Sequence, residues 1–412
     1  MTLEQKSGKN IFNKKVKYSK KELEIVKHLY FEILTKIKIC DNACGSGSFL
    51  IAAGDVLLRL YSRVLKILED NLSDDRDVKE VLNNIRKSPT RNYYIVRQII
   101  VNNLYGVDIM EGAVEIAKLR FWLWLISQVD PRRVEGKRIE TLPNLDFNLM
   151  VGNSLIGFVD IGDVEFDFVP AGPKKRWDTL TSKQYLITTW TDKDKVKWLK
   201  ELAKQKQKFK TLPAHEAIKL KEELNKDLEK AREFLNEKFY NMLKSNGIKI
   251  SKEEFRDLKP FHWGFEFYEA FDLEKPKEER GFDVIIGNPP YLGIRTLGKL
   301  ERDILSLTYK EVYSGQADIL YFFIFRGLKL LNKGSILSFI ISRYFLESDS
   351  AIALRNYVSI HLFQVNLLRI YSFPAVKKSL FWIFIVPITL IMMSLFLAPS
   401  VVLKHPHIFL CR

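Results

Sequence analysis

Lys36-Ile37-Lys38-Ile39-Cys40-Asp41 runs directly into Asn42-Ala43-Cys44-Gly45-Ser46-Gly47-Ser48-Phe49-Leu50, and then into Ile51-Ala52-Ala53. The first run reads as a buried strand and the last as the opening of a helix. Between them, Gly45 and Gly47 permit positive φ and let a ligand come close to the backbone. Strand, glycine-rich turn and helix is the context that a nucleotide-type cofactor loop requires. The loop lacks phosphate-loop spacing, and no Lys-Ser or Lys-Thr follows the glycines, which disfavours a triphosphate. The fold class that follows is α/β, a doubly wound, Rossmann-like sheet.

Downstream, Asn103-Leu104-Tyr105-Gly106-Val107-Asp108-Ile109 reads as a second strand ending in a carboxylate, the usual place to hold a ribose diol. Its distance from the glycines exceeds the ~20 residues of a dinucleotide fold. A charged helical stretch, roughly Leu57 to Ile100, fills the excess. Glu111 to Ile126 then predicts a helix, with Val114, Ala117, Leu119, Phe121, Leu123 and Leu125 on its apolar faces.

A third strand, Phe282-Asp283-Val284-Ile285-Ile286-Gly287, ends in Asn288-Pro289-Pro290-Tyr291. Two prolines cannot continue a sheet, so the chain leaves it in a stiff, extended form. The second proline also keeps the Pro289 carbonyl out of helical hydrogen bonding. Asn288 and that carbonyl make two neighbouring acceptors, suited to a planar –NH2 group, and Tyr291 offers a face to a flat ring. By itself such a tetrapeptide reads equally well as a strand-ending turn. The glycine loop and Asp108 upstream give it a functional reading.

At these residues the chain resembles the S-adenosylmethionine-dependent N6-adenine DNA methyltransferases of type II restriction–modification and phage-defence systems. Asp41–Leu50 resembles the family's cofactor motif, with Asn42 where that motif has proline. Gly106-Val107-Asp108-Ile109 resembles its ribose-binding segment. Leu142–Phe147 and Val151–Leu155 resemble its third cofactor segment. Phe261-His262-Trp263-Gly264-Phe265-Glu266-Phe267 and Leu328–Ser342 resemble stretches flanking the Asn-Pro-Pro-Tyr motif. The resemblance implies S-adenosylmethionine held by Asp41, Ala43, Cys44, Gly45, Gly47, Phe49, Asp108, Ile109 and Asn153. It implies Asn288, Pro289, Pro290 and Tyr291 as the catalytic set, acting on an adenine flipped out of double-stranded DNA. Asp41 is expected near the amino-acid end of the cofactor, and Asn153 at its adenine edge or simply in a turn. No metal or general base is needed to start such a reaction. The implied partners are DNA and a separate specificity or nuclease component.

Composition agrees with a polyanionic partner: 412 residues carry a formal charge of +15. Cys40, Cys44 and Cys411 make neither a zinc pattern nor a disulfide framework, and the lysine-rich start has no apolar core of a signal peptide. The expected setting is a reducing prokaryotic cytoplasm.

The sequence divides into a helical lead (1–35), a cofactor half (36–157), a helical insert (158–280), a catalytic half (281–345) and an apolar tail (346–412). In the insert, Leu220, Leu224, Leu228, Ala231, Leu235, Phe239 and Met242 recur at helical spacing. They predict an amphipathic helix paired with the Lys195–Phe209 helix, or a basic arm against DNA. The aromatic-Thr-Pro segment expected before the first strand is missing, and Lys17–Lys20 stands there. The tail has no Asp or Glu after Asp349 and no Gly after Gly334. Leu380 to Ala398 is uncharged, close to the ~20 residues of a membrane span. Three readings stand open: a membrane anchor, two final strands at Gln364–Ser372 and Phe381–Val386, or a changed reading frame. A long target-recognition domain is not legible, so the chain reads as truncated. The rival functions are a non-catalytic remnant and an Asn-Pro-Pro-Tyr methyltransferase acting on RNA or a protein glutamine.

Overall fold

The computed structural model describes residues 18–130, 145–163, 192–211, 214–342 and 344–361, and three short strands beyond them. Its centre is a parallel sheet of β1 (Ile39–Asp41), β2 (Leu104–Asp108), β3 (Leu149–Val151), β4 (Phe282–Gly287) and β5 (Leu331–Phe339), in the order β3-β2-β1-β4-β5. The strands are short and apolar because helices cover both faces of the sheet. Cys40 opposes Tyr105 on one side and Ile285 on the other. The order reverses between β1 and β4, which opens a crevice at their carboxyl ends.

The opposite ends of the strands are pinned by buried amides. Asn103 Nδ2 donates to the carbonyls of Leu34 and Ile37, and Asn148 Nδ2 to that of Leu104. Asp283 accepts from the Lys38 N–H and from Asn332 Nδ2. These bonds anchor the sheet's base with groups that would otherwise be buried unsatisfied.

One face is covered by α1 (Lys20–His28), α2 (Ser48–Leu72), α3 (Arg76–Lys87), α4 (Arg91–Asn102) and α5 (Glu111–Ile126). The charged stretch between loop and second strand is therefore the rest of α2 plus two further helices, started by the Asp75 and Thr90 caps. Leu50, Leu57, Tyr61, Leu65 and Leu68 of α2 supply its buried stripe.

The insert contributes α6 (Asp192–Thr211), α7 (Ala214–Ser245), α8 (Lys252–Asp257) and α9 (Trp263–Glu266). Leu199 and Leu202 of α6 share an apolar cluster with Leu224, Leu228, Ala231 and Leu235 of α7, with Ile161 at the start of the insert and with Phe147 of the cofactor half. The leucine stripe of α7 is thus a packing face, as a helical pair requires. The second sheet face carries α9, α10 (Lys299–Thr308) and α11 (Ile319–Leu330), with Trp263, Phe267, Phe282, Phe322 and Phe339 in one core.

Beyond β5, β6 (Ile341–Ser342) leads to α12 (Tyr344–Glu347) and α13 (Ile352–His361). β7 (Val365–Asn366) and β9 (His407–Phe409) extend the main sheet as β5-β9-β7, whereas β8 (Phe381–Trp382) pairs antiparallel with β6. Of the two tail strands expected from sequence, the first reaches the main sheet and the second does not; residues 407–409 take the place beside β5. The remainder of Leu380–Ala398 lies outside the described residues. No described helix is long and apolar enough to cross a membrane.

Candidate active site

The glycine loop follows β1 and Asn-Pro-Pro-Tyr follows β4, so the two segments leave neighbouring strand ends at the switch point. The junction is tight: a Cβ on Gly287 would lie 2.7 Å from Asp41 Oδ1, so only glycine fits before Asn288. Asp41 itself is 1% exposed and accepts the Ala43 N–H at 3.0 Å. Burial lifts its carboxyl to about 7; the Ala43 N–H opposes that lift and the charge of Asp108 adds to it.

The loop after Asp41 is shaped by glycine. Gly45 and Gly47 have φ of +51° and +76°, a left-handed region that side chains avoid, and Gly47 ends the turn as the cap of α2. Asp108, at the tip of β2, closes the loop from below. Its Oδ2 accepts the Gly45 N–H at 2.8 Å and its Oδ1 the Met110 N–H at 2.9 Å. A carboxylate has about four acceptor positions, so half of them stay available on this half-exposed residue. Cys44 is buried and desolvation pushes its thiol well up, which makes it a packing residue rather than a nucleophile. Phe49 is half-buried in the first turn of α2.

Other loop contacts were not legible in the sequence. Arg120 of α5 donates through Nη1 to the Ser46 carbonyl and to the Ser48 hydroxyl, tying the loop to α5. Ser154 Oγ donates to the Asn42 carbonyl at 2.5 Å, and Trp263 Nε1 donates to the Ser154 carbonyl at 3.1 Å. Trp263 thereby links α9 to the loop. Asn153 is half-buried beside this tie, and its Oδ1 accepts the Leu155 N–H at 3.1 Å. That bond is the turn-forming use of an asparagine.

His262 is neutral, with its pKa lowered to about 4 by burial against the raising effect of Glu266. Its Nδ1 accepts the Phe158 N–H, so Nε2 carries the proton, toward Asn236 Oδ1 at 3.1 Å. Glu266 follows at the end of α9, 3% exposed. Arg232 of α7 grips it from Nε at 2.6 Å and Nη2 at 3.0 Å, and Lys206 of α6 from Nζ at 3.0 Å. Phe261–Phe267 therefore joins α6 and α7, through Glu266, to the cofactor half, through the Trp263 bond to Ser154.

At the end of β4, Asn288 and Pro290 are exposed, Pro289 is buried and Tyr291 is half-buried. The backbone beyond Tyr291 is held by the start of α11. Leu292 donates to Asp318 Oδ1, Ile319 N–H to the Leu292 carbonyl, and Ile294 N–H to the Ala317 carbonyl. Asp318 also caps α11 through the Leu320 N–H, and burial raises its carboxyl. An Asp immediately before the apolar run Ile319–Phe325 is a helix-start signal that sequence reading could have used.

Residues 102–381 match the Eco57I restriction-modification methylase family, and residues 13–156 match the DNA-methyltransferase domain of MmeI. A putative type II restriction enzyme and methyltransferase of Methanocaldococcus jannaschii is 32% identical over 348 residues, 77% of this chain and 27% of that protein. A type II restriction enzyme and methyltransferase of Escherichia coli is 23% identical over 376 residues, 90% of this chain and 25% of that protein. DNA methyltransferase A of Bacillus subtilis is 31% identical over 88 residues, 21% of this chain and 8% of that protein. The chain spans about a quarter of the length of the first two relatives. With a family match across most of its length and the crevice those motifs build, this chain belongs to the Eco57I restriction-modification methylases.

Proposed function

We propose that this chain carries an adenine-N6 DNA methyltransferase site that uses S-adenosylmethionine. The observation that supports it most is the meeting of Asp41 and the loop after it with Gly287-Asn288-Pro289-Pro290 at one switch point, with Asp108 on the next strand. The residues present suit the cofactor. Ile109 is 49% exposed and Val151 36% exposed at the tips of β2 and β3, two apolar walls for a purine. Asp108 keeps acceptor capacity for ribose hydroxyls beside them. Val151 opens the segment that resembles the third cofactor motif, of which Asn153 alone was expected to hold the cofactor.

S-adenosylmethionine supplies a methyl group made transferable by its sulfonium sulfur. The rest falls to the chain. Asn288 Oδ1 and the Pro289 carbonyl accept the two protons of an adenine amine, which localises the nitrogen lone pair that the ring otherwise delocalises. Tyr291 gives the flipped base a stacking face, and the stiff prolines hold all three groups in place before the base enters. A nuclease or specificity component is a proposed partner, given that the relatives are named as restriction enzyme and methyltransferase together.

The test is labelled-methyl incorporation into duplexes of varied sequence, followed by nucleoside analysis. N6-methyladenine is the expected product. A methyl group found on cytosine, or none transferred by protein that demonstrably binds the cofactor, overturns the reading.

A further inference from the structure

The Tyr291 hydroxyl lies between two oxygens: the Ile340 carbonyl at 2.6 Å and Asn288 Oδ1 at 3.0 Å. A phenol has one hydrogen and can donate to one of them only. Burial raises this hydroxyl's pKa, so it stays protonated. The two lengths differ in kind: 2.6 Å suits O–H···O, and 3.0 Å is the usual length of N–H···O. The Ile340 carbonyl is also fixed in place, because the Ile340 N–H donates to the Gly287 carbonyl at 3.0 Å. The hydroxyl's hydrogen therefore belongs to Ile340. What faces the phenol oxygen at 3.0 Å must then be a donor, and the oxygen and nitrogen of an amide exchange places by a half-turn about its last bond.

We propose that Tyr291 is a positioning residue for Asn288: its hydroxyl donates to the Ile340 carbonyl and accepts from Asn288 Nδ2, which leaves the carboxamide oxygen turned toward the substrate. The sense of this chain decides whether the site can work. An amine to be methylated offers protons, so the pocket must offer it an oxygen; the reversed amide would present N–H to N–H. Without the hydroxyl, no other hydrogen bond among the described residues selects one orientation of the exposed Asn288 amide. The end of β5 thus reaches the reacting atom through two side chains.

The proposal rests on the methyltransferase reading, and its test has one arm that does not. Full-length protein with [15N]asparagine is examined by NMR, and the Asn288 amide is assigned by its loss in Asn288→Ala. The expected result is one Nδ2 proton that exchanges with water about tenfold more slowly in the parent than in Tyr291→Phe, with the same fold by backbone spectrum. Equal exchange in the two proteins overturns the proposal. Tyr291→Trp, which also lacks the hydroxyl, serves as the second variant should Phe fail to fold. The second arm compares methyl transfer from S-adenosylmethionine to adenine-containing DNA. Tyr291→Phe is expected to lower turnover about tenfold or more with unchanged cofactor affinity, and unchanged turnover also overturns the proposal. Should the parent transfer no methyl group, the methyltransferase reading falls, and the NMR arm still decides the amide's orientation.

Discussion

Asp41 and Glu266 are equally buried, at 1% and 3% exposure, yet their protons behave in opposite ways. Burial drives Asp41 up to about 7. Burial pushes Glu266 the same way, but Arg232 and Lys206 overcome it and hold the carboxyl at about 2. The difference lies in partners rather than depth. Asp41 has one backbone N–H and the like charge of Asp108 nearby. Glu266 has a two-pronged guanidinium and an ammonium that is itself 2% exposed. A buried carboxylate with matched cations makes a rigid joint; one without them sits at the crevice tip, where two motifs crowd together.

The largest effect is expected at the joint. Glu266→Ala removes the carboxylate that Lys206 and Arg232 share, at a cost of about 3–5 kcal/mol. Chemical denaturation should show the loss. If the paired change Glu266→Leu with Lys206→Met loses as much, the joint is not an ion-pair joint. Next comes the crevice, where the loss should be of rate and not of stability. Asn288→Ala is expected to lower methyl transfer by about 100- to 1000-fold, as for removal of one transition-state hydrogen-bonding group, with the melting temperature and cofactor affinity nearly unchanged. A parallel fall in melting temperature would erase the contrast between joint and tip.

A smaller effect is expected for Asp108→Ala, which should weaken S-adenosylmethionine by about tenfold or more. Titration calorimetry measures it, and equal binding by parent and variant would remove Asp108 from the cofactor site. The smallest effect is on pH dependence. Asp41 has a raised folded-state pKa, so its contribution is full below pH 3.8 and fades as pH rises through about 7. His262 is lowered, so its contribution is full above pH 6.5 and fades as pH falls through about 4. Glu266 adds stability above pH 4.5 that is lost as pH falls toward 2. Between pH 4 and pH 7 the first two oppose each other. Asp41→Asn removes one of them, so the variant's stability should climb with pH over this interval more steeply than the parent's. Denaturation midpoints across that range decide it; identical slopes would mean that Asp41 titrates as an ordinary carboxyl.

Much of the crevice could be read from the chain because its parts are local. The φ values required at Gly45 and Gly47, the stiffness of Pro289-Pro290 and the strand-ending places of Asp41, Asp108 and Asn288 are set by residues next to one another. Helical spacing likewise found the leucine stripe of α7, since a period of 3.6 is printed along one segment. The tail was ambiguous for the opposite reason. Val365–Asn366, Phe381–Trp382 and His407–Phe409 are all strands of two or three residues, and which of them pairs with β5 is settled by competition for one edge.

What the sequence alone determined was the doubly wound sheet, the glycine turn after β1 and the stiff Asn-Pro-Pro-Tyr exit from β4, because backbone chemistry carries that information within a few residues. Only the tertiary structure decided which charges are buried and which hydrogen bonds hold the side chains at the strand ends. Lys206 stands in a lysine-rich helix and reads like any solvated cation, yet it lies against Glu266, 60 residues away. Ile340 offers an ordinary backbone carbonyl, yet it receives Tyr291 across 49 residues. Partner choice at such separations depends on how strands and helices pack, and no local pattern records it.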